Sequence, residues 1–481
     1  MNKELPYIPK EDRKKILLLC DDIRMHSGIA TMAREFVVNS AQHFNWLNLG
    51  AAVGHQDEGK IFDLSDDINK SKKLTDSYVK ILPSNGYGNA DTVRQLIEKE
   101  KPDAIFIFTD PRYWIWLFDI EREIRSKIPI VWLNIWDDYP SPLYNKTYYN
   151  SVDALMAISK QTLNINKLVL EEEAENKVLK YIPHGIDETV FKPIKKEDAE
   201  FETFTKFRKD LFTGKDIEFV MFYNSRNIQR KKTADVILAF RMFCDSIPKE
   251  KAKKCALVMH TAAVDPNGTD LNAVKEALCD PEYVNVYFSQ DKINPAQMNA
   301  LYNIADVTCL ISSNEGWGLS LTESMMAGTM IIANVTGGMQ DQMRFEKDGK
   351  WIDFDSDFPS NHRGTVKEHG EWAIPVFPSN ISLTGSVPTP YIFDDRCRPE
   401  DAAQAILEAF NLSKEERDNR GLKGREWAMS DESGFTAKNM SFTIGTTINE
   451  ALEKFVPRTK FDLIKIETLP KKYIKHKLLN Y

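Results

Sequence analysis

The chain has 481 residues, of which 42% are hydrophobic and 28% are charged. This length exceeds one ordinary core and suits two domains, and the composition is that of a globular protein rather than a disordered or fibrous one. The formal net charge of −8 argues against a surface generally adapted to nucleic acid, although it does not exclude a local basic face.

The N-terminal segment is polar and lacks the apolar core of a signal peptide, and no apolar run reaches the roughly 18 residues of a membrane span. The six cysteines are scattered, so neither a zinc site nor a redox motif is expected. Cys20, Cys255 and Cys309 lie in or beside apolar runs, which is typical of buried thiols in a reducing compartment. We therefore expect a cytoplasmic protein.

Short apolar runs alternate with amphipathic helical patterns over residues 15–190 and again over 216–410. Nearly continuous apolar runs are typical of parallel strands covered on both faces, and the helices between them imply right-handed crossovers. The pattern predicts two doubly wound α/β domains. The predicted strands are 16–20, 104–108, 130–135, 154–158 and 178–182 in the first domain, and 219–223, 256–259, 284–288, 307–311 and 330–333 in the second.

The domain boundaries follow from breaks in this pattern. Proline and charge interrupt it around residues 191–202, so we predict a first domain over 1–195 and a second over 196–429. Residues 348–390 are rich in Gly, Pro, Ser and Asn and indicate an insertion, which in a compact domain is usually functional. The final segment, 454–481, has eight Lys or Arg and two acids, and we define 456–481 as a basic tail.

The most informative segment, NEGWGLSLTESMMAGTMIIANVTGG, follows the predicted strand 307–311. Gly316 and Gly318 permit a sharp turn close to a ligand, and a helix is predicted from Leu319. The free N–H groups of that helix would face the carboxyl edge of the sheet and suit a diphosphate. Glu315 and Glu323 bracket the turn with carboxylates that accept hydrogen bonds from sugar hydroxyls. The alternative is a capped helix with two solvated glutamates.

On these residues the sequence resembles glycosyltransferase family 4, retaining enzymes with an E-x7-E donor motif. The resemblance extends from Ile16 to about Met429, except for the insertion. It implies the two-domain GT-B fold, with Rossmann-like domains facing a cleft and a C-terminal helix, about 430–460, crossing back to the first domain. It also implies a UDP- or GDP-sugar donor. In this family the first glutamate contacts the sugar and the second the ribose, which points to Glu315 and Glu323, with the backbone of Gly316, Trp317, Gly318, Leu319 and Ser320 meeting the sugar and phosphates.

Family members also carry an arginine with a lysine five residues later, at the start of the second domain. Arg226 and Lys231 have this spacing between a predicted strand and a helix. Two cations beside a leaving diphosphate would neutralise its developing charge, whereas the alternative is a solvated basic turn. Arg230 and Lys232, between and after them, are expected to be surface charges.

Three further positions are candidates in the first domain. Gly28 is predicted at a helix N-terminus facing the cleft, where it would approach the diphosphate. His184 lies in a turn that resembles the interdomain hinge of the family and either packs there or touches ligand. Asp137 ends a strand at the edge where many family members have a catalytic histidine, so it is a candidate for binding a substrate hydroxyl; the alternative is a turn-forming aspartate before proline.

The predicted reaction is hexosyl or pentosyl transfer with retention at the anomeric carbon, by front-face displacement, to a hydroxyl acceptor. Adjacent acid pairs occur, but no D-x-D motif stands at the end of a suitable predicted strand, so no metal is expected. The segment GGMQDQMRFEKDGKW, with the later FPSN and PTPYIFDD, also resembles a subgroup frequent in phage genomes, which suggests hydroxymethylated pyrimidine in phage DNA as acceptor and the host cytoplasm as location. Alternatives are an enzyme that builds a surface glycan or lipid-linked sugar, a nucleotide-sugar epimerase, and a non-catalytic nucleotide-sugar-binding subunit. The oligomeric state stays open.

Overall fold

The computed structural model describes residues 4–355 and 364–459. Two separate sheets, each flanked by helices, account for most of the strands, which confirms the predicted architecture of two Rossmann-like α/β units. Residues 356–363 of the insertion and 460–481 of the basic tail lie outside the described residues. Within the part that the structure describes, no helix combines the length and apolarity needed to cross a bilayer.

The first sheet has eight strands, and short helices connect them. The strands are β1 (Lys14–Asp21), β2 (Phe44–Ala52), β3 (Phe62–Asp63), β4 (Val79–Asn85), β5 (Ala104–Phe108), β6 (Ile130–Asn134), β7 (Ala154–Ala157) and β8 (Val178–Tyr181). The helices are α1 (Gly28–Val38), α2 (Ser65–Lys72), α3 (Ala90–Glu100), α4 (Ile115–Phe118), α5 (Glu121–Arg125), α6 (Lys146–Asn150) and α7 (Lys160–Leu170).

The strand order is β3-β4-β2-β1-β5-β6-β7-β8, and only β3 runs antiparallel to its neighbour. This order places the carboxyl ends of β1, β5 and β6 side by side. Strands β2 and β4 were missing from the sequence prediction. The apolar run of β2 is interrupted by asparagines, and the buried Asn48 is accommodated because its amide donates to the Leu18 carbonyl of β1 at 3.3 Å.

The second sheet has six parallel strands in the order β11-β10-β9-β12-β13-β16. These strands are β9 (Phe219–Asn224), β10 (Cys255–His260), β11 (Asn285–Ser289), β12 (Val307–Leu310), β13 (Met330–Asn334) and β16 (Ala373–Val376). The helices around it are α8 (Phe201–Leu211), α9 (Thr233–Asp245), α10 (Lys249–Ala252), α11 (Leu271–Leu278), α12 (Pro295–Ile304), α13 (Leu319–Met326), α14 (Met339–Met343), α15 (Pro399–Asn411) and α16 (Lys414–Ala428).

The predicted insertion is more ordered than its composition indicates. It supplies β16 to the second sheet and the second strand of a small hairpin formed by β14 (Glu346–Lys347) and β15 (Lys350–Trp351). It also supplies most of a longer hairpin of β17 (Asn380–Ser386) and β18 (Thr389–Arg396). The longer hairpin extends beyond the predicted insertion to Arg396. Its strands pair antiparallel with a bulge near the turn.

The last helix, α17 (Ala437–Lys454), returns to the first domain as expected, where it packs on α1, β7 and β8. The return is fixed by two backbone hydrogen bonds, from the Ile186 N–H to Phe435 at 2.9 Å and from the Ala437 N–H to Ile186 at 3.0 Å. Gly445 lies against Leu5 so closely that a β-carbon would not fit. The predicted domain boundaries themselves stay predictions.

Candidate active site

The centre of the site is the loop between β12 and α13, residues 311–318. Gly318 has φ +92°, a left-handed conformation that lets the chain turn into α13 at Leu319. The loop is fixed from the other side by the β13–α14 turn, because the Gly338 N–H donates to the Glu315 carbonyl at 3.0 Å. A β-carbon on Gly337, which has φ +53°, would overlap that same carbonyl. The loop is therefore held rigidly.

Glu315 forms the charged core of the site. Its carboxylate accepts hydrogen bonds from the ammonium of Lys231 and from the guanidinium of Arg230, the latter at 3.0 Å. Burial alone would raise the pKa of Glu315, but the two cations lower it to about 2. Burial lowers the pKa of Lys231 despite the opposing charge of Glu315. The carboxylate is thus ionised, buried and oriented, with Arg230 also donating to the Asn314 carbonyl at 2.8 Å.

Glu323 occupies the second turn of α13 in a different environment. Its carboxyl accepts a 2.6 Å hydrogen bond from the Tyr302 hydroxyl, which in turn accepts from the amide of Asn224 at 2.9 Å. Burial raises the pKa of Glu323 to about 7, although the Tyr302 bond opposes the rise. The pKa values of the two glutamates of the motif are therefore shifted in opposite directions.

The structure brings Lys231, but not Arg226, to Glu315. Arg226 is 65% exposed in its side chain and pairs with Asp265 at 2.9 Å. Arg230 was expected to be a surface charge and is 44% exposed in its side chain, but it also pairs with Glu315, whereas Lys232 is mostly buried. A 3-10 turn over Gln229–Lys231 directs both Arg230 and Lys231 at Glu315, and Lys232 pairs with Asp394 at 3.6 Å. The spacing of these residues in the sequence does not reveal their contacts, because the contacts depend on the 3-10 turn.

The first domain contributes the opposite wall. Gly28 begins α1, with Ser27 as its N-cap, and a β-carbon on Gly28 would lie 3.4 Å from a methyl group of Leu319. The N-termini of α1 and α13 therefore face each other across the interface. The domains also touch at Gly316, where a β-carbon would come within 2.9 Å of Ile158. An anion bound at α13 would have a second helix N-terminus close by.

Asp137 and Asp138 lie in the loop after β6 and reach the same region. Burial raises the pKa of Asp137, while the charge of Arg230 opposes the rise. Burial and the neighbouring carboxyl group of Asp137 together raise the pKa of Asp138 well above its ordinary value. The two neighbouring acids therefore oppose each other's ionisation beside Arg230 and Glu315.

The buried rings of His184 and Trp317 pack against each other at the loop that carries Glu315. The ring of His184 packs edge-on between Phe108 and Trp317, and burial lowers its pKa to about 3, so it is neutral. Among the described residues, its Nδ1 has no hydrogen-bond partner. Trp317 is buried against Phe435, and its indole N–H donates to Thr322 at 3.0 Å. Because its side chain is buried, Trp317 can contact a ligand only through its backbone.

An aromatic pair stands at the carboxyl edge of the first sheet. Tyr113, whose exposed fraction is 45%, stacks on Tyr87 with centroids 4.3 Å apart. The Tyr87 hydroxyl donates to Asp21 at 2.6 Å, and Asp21 also accepts from Ser27, the cap of α1. Trp114, which follows Tyr113 in the chain, is buried in the core. In the part of the chain that the structure describes, no cluster of three or more His, Cys, Asp or Glu is arranged to hold a metal.

The second domain matches a known family. Residues 204–358 match the family model described as "Glycosyl transferases group 1", and this range contains Lys231, Glu315 and α13. The chain contains a glycosyltransferase group 1 domain. None of the curated proteins compared with the chain matches it.

Solved structures share the fold of both domains, over about nine tenths of the chain. HepE from Anabaena in complex with UDP and glucose has a TM-score of 0.61 at 13% identity, covering 91% of this chain and 100% of its own. Sucrose-phosphate synthase from Thermosynechococcus elongatus has a TM-score of 0.58 at 13% identity, covering 91% and 99%. A trehalose-phosphate synthase from Burkholderia vietnamiensis has a TM-score of 0.62 at 11% identity, covering 92% and 99%. The glycosyltransferase domain therefore sits in a complete GT-B architecture.

Proposed function

We propose that the protein is a retaining glycosyltransferase of the family 4 type, which moves a sugar from a nucleoside diphosphate sugar to a hydroxyl acceptor. The single observation that supports this most is the arrangement around α13. An ionised Glu315 held by two cations stands before the helix N-terminus, and Glu323 stands one turn inside it.

The donor is proposed to lie along this helix. The diphosphate takes the N-terminal N–H groups of α13, with Gly28 at the start of α1 opposite. Glu315 accepts hydrogen bonds from the donor sugar, and Glu323 accepts from the ribose. HepE, a protein of the same fold, has been solved with UDP and glucose and with UDP-glucose, which favours UDP as the first nucleotide to test.

The cations supply the electrostatic part of catalysis. Charge accumulates on the diphosphate as the glycosidic bond breaks, and Lys231 and Arg230 are positioned beside Glu315 to stabilise it. Arg226, which is exposed, would join them only by leaving Asp265. In front-face displacement the leaving phosphate takes the acceptor proton. Asp137 is proposed to bind a hydroxyl of the acceptor or the donor, because it lies beside Arg230 at the edge of the first sheet.

The acceptor is proposed to enter along the first-domain edge that carries Asp21 and Tyr113. An exposed aromatic ring next to carboxylates suits a ring with hydroxyl groups, which includes both a sugar and a hydroxymethylated pyrimidine. The phage-DNA acceptor is proposed from the resemblance of the segment GGMQDQMRFEKDGKW to a phage subgroup and from the basic tail, which could contact phosphates. The tail beyond residue 459 lies outside the described residues.

Mass spectrometry of incubations with UDP- and GDP-sugars tests the reaction class. Transfer, or hydrolysis of the donor with release of the nucleoside diphosphate, is expected for the wild type and is expected to fall at least a hundredfold in Glu315→Gln. An isomerised but intact donor would identify an epimerase instead. Binding without any turnover would identify a non-catalytic subunit.

The acceptor requires a separate experiment. The enzyme and the active donor are incubated with hydroxymethylated DNA, with plain DNA of the same sequence and with simple glycosides, and the DNA is digested to nucleosides. A mass gain on the modified base alone supports the DNA acceptor. No gain on any nucleoside would end that hypothesis without touching the reaction class.

A further inference from the structure

The long hairpin of β17 and β18 contacts both domains next to the active site. Its returning strand, β18, passes between the β12–α13 loop of the second domain and the β6–α6 loop, residues 135–145, of the first. The first of these loops carries Glu315, and the second carries Asp137 and Asp138. The hairpin belongs in sequence to the second domain but is not part of its sheet.

The attachment to the second domain is made by the end of β18. The Asp395 N–H donates to the Ser313 carbonyl at 3.0 Å, and the Asn334 amide donates to the Asp395 carbonyl at 2.9 Å. The Asp395 carboxylate accepts a 2.6 Å hydrogen bond from Thr336. These contacts are buried, and Ser313 is only two residues before Glu315. They fix β18 to the loop that carries the first glutamate of the motif.

The attachment to the first domain is made by the middle of β18. The Phe393 N–H donates to the Tyr139 carbonyl at 2.7 Å, and the Phe393 ring packs on the first-domain core. The rings of Tyr391 and Tyr144 meet edge-on with centroids 4.9 Å apart, and the Tyr144 hydroxyl donates to the Tyr391 carbonyl at 3.0 Å. Tyr139 directly follows Asp138. A single strand thus spans the two loops within five residues.

We propose that this hairpin is an interdomain tether that positions Asp137 and Asp138 against Glu315, so that sugar transfer depends on it while nucleotide binding does not. The proposal rests on the function proposed above. The nucleotide would contact α13, Glu323 and Lys231, and the side chains of both residues pair with second-domain groups outside the hairpin. Asp137 and Asp138 can be aligned with Glu315 only if the two domains keep a fixed relative position. Strand β18 forms hydrogen bonds to both domains.

The tether is tested by weakening the packing of β18 on the first domain only. The double variant Tyr391→Ala/Phe393→Ala removes both rings that pack on the first domain and leaves the bonds of Asp395 in place. We expect kcat to fall at least tenfold while the affinity for UDP, measured by calorimetry, stays within twofold. Tyr391→Phe, which keeps the ring, and Val387→Ala, at the 98% exposed hairpin turn, are matched controls expected to keep the wild-type kcat.

A second readout is independent of catalysis. Spin labels at Val53→Cys and Val264→Cys, which are exposed on the first and second domains, report the interdomain distance in a background where the partly buried Cys397 is replaced by Ser. We expect a narrow distance distribution in the wild type and a broadened one in the double variant. An unchanged distribution overturns the tether, and an unchanged kcat overturns its role in transfer.

An inactive wild type and an unfolded double variant each require a different measurement. If the wild type turns over no sugar nucleotide, the proposed function fails, and the distance distribution alone decides whether the tether exists. If the double variant loses its cooperative melting transition, Tyr144→Phe replaces it, because it removes only the hydroxyl that donates to Tyr391. A twofold to fivefold fall in kcat with unchanged UDP affinity is then expected, and an unchanged kcat overturns the proposal.

Discussion

Replacing Glu323 by Gln removes a carboxyl group whose pKa burial raises from 4.5 to about 7. The native state therefore binds this proton more tightly than the unfolded chain does. Ionisation of Glu323 costs native stability progressively as the pH rises from 4.5 to 7, and the whole penalty is present above pH 7. At about 1.4 kcal/mol for each tenfold change in acid dissociation, the penalty is about 3 kcal/mol. The glutamine keeps an oxygen that accepts the Tyr302 hydroxyl but never ionises.

The expected result is a variant that is more stable and binds less well. At pH 8, Glu323→Gln should melt at least about 5 °C above the wild type, and at pH 5 most of this difference should disappear. If Glu323 holds the ribose, the affinity for UDP at pH 8 should fall about tenfold to a hundredfold, because a hydrogen bond to a charged group is lost. Differential scanning fluorimetry and calorimetry at both pH values measure the two effects.

A melting difference that is the same at pH 5 and pH 8 would refute the raised pKa of Glu323. A variant less stable than the wild type at pH 8 would refute it as well. Tyr302→Phe is the matched control, since it removes the hydrogen bond that holds the pKa down. As the pH is lowered, the UDP affinity of Tyr302→Phe should therefore begin to fall at a higher pH than the affinity of the wild type does.

Four further predictions concern the cations, the loop and the metal. Lys231→Met leaves Glu315 with one cation, so donor turnover should fall at least a hundredfold and the melting temperature should drop, since removal of one buried partner costs about 3–5 kcal/mol. Arg230→Met should reduce kcat more than Arg226→Met does, because only Arg230 contacts Glu315 in the structure. Gly337→Ala should lose activity and melt lower, because its β-carbon would overlap the Glu315 carbonyl. Treatment with EDTA should leave donor turnover unchanged.

Each of these has a contradicting result. Wild-type turnover in Lys231→Met would remove the cation pair from catalysis. A larger loss in Arg226→Met would show that the exposed arginine swings onto the diphosphate and that Arg230 only supports Glu315. An active Gly337→Ala would mean that the loop relaxes easily. Turnover that EDTA abolishes and Mg²⁺ restores would establish a metal requirement.

The strands and α13 were predictable because their signals are local. Continuous apolar runs mark parallel strands, and Gly316 and Gly318 between a strand and a helical pattern mark the turn into α13. Strands β2 and β4 were missed because asparagines and a proline interrupt their runs. Those residues are tolerated by specific pairings, such as that of Asn48 with Leu18, which a one-dimensional pattern does not contain.

The side chains of the site were only partly predictable. Lys231 follows from spacing, but the contact of Arg230 with Glu315 depends on a 3-10 turn and on a partner 85 residues away in the chain. The hairpin was expected to be an insertion of unknown role. Its bonds to Tyr139 and Ser313 join residues far apart in the chain, and they involve backbone groups, which carry no sequence signal.

A crystal structure with a bound sugar nucleotide tests the proposed donor site, formed by α13, Glu315, Glu323 and Lys231, most directly. We predict that the diphosphate lies at the N-terminus of α13 beside Lys231, with the ribose on Glu323 and the sugar on Glu315. A nucleotide bound elsewhere, or one whose ribose and sugar are reversed between the two glutamates, would contradict the proposed function.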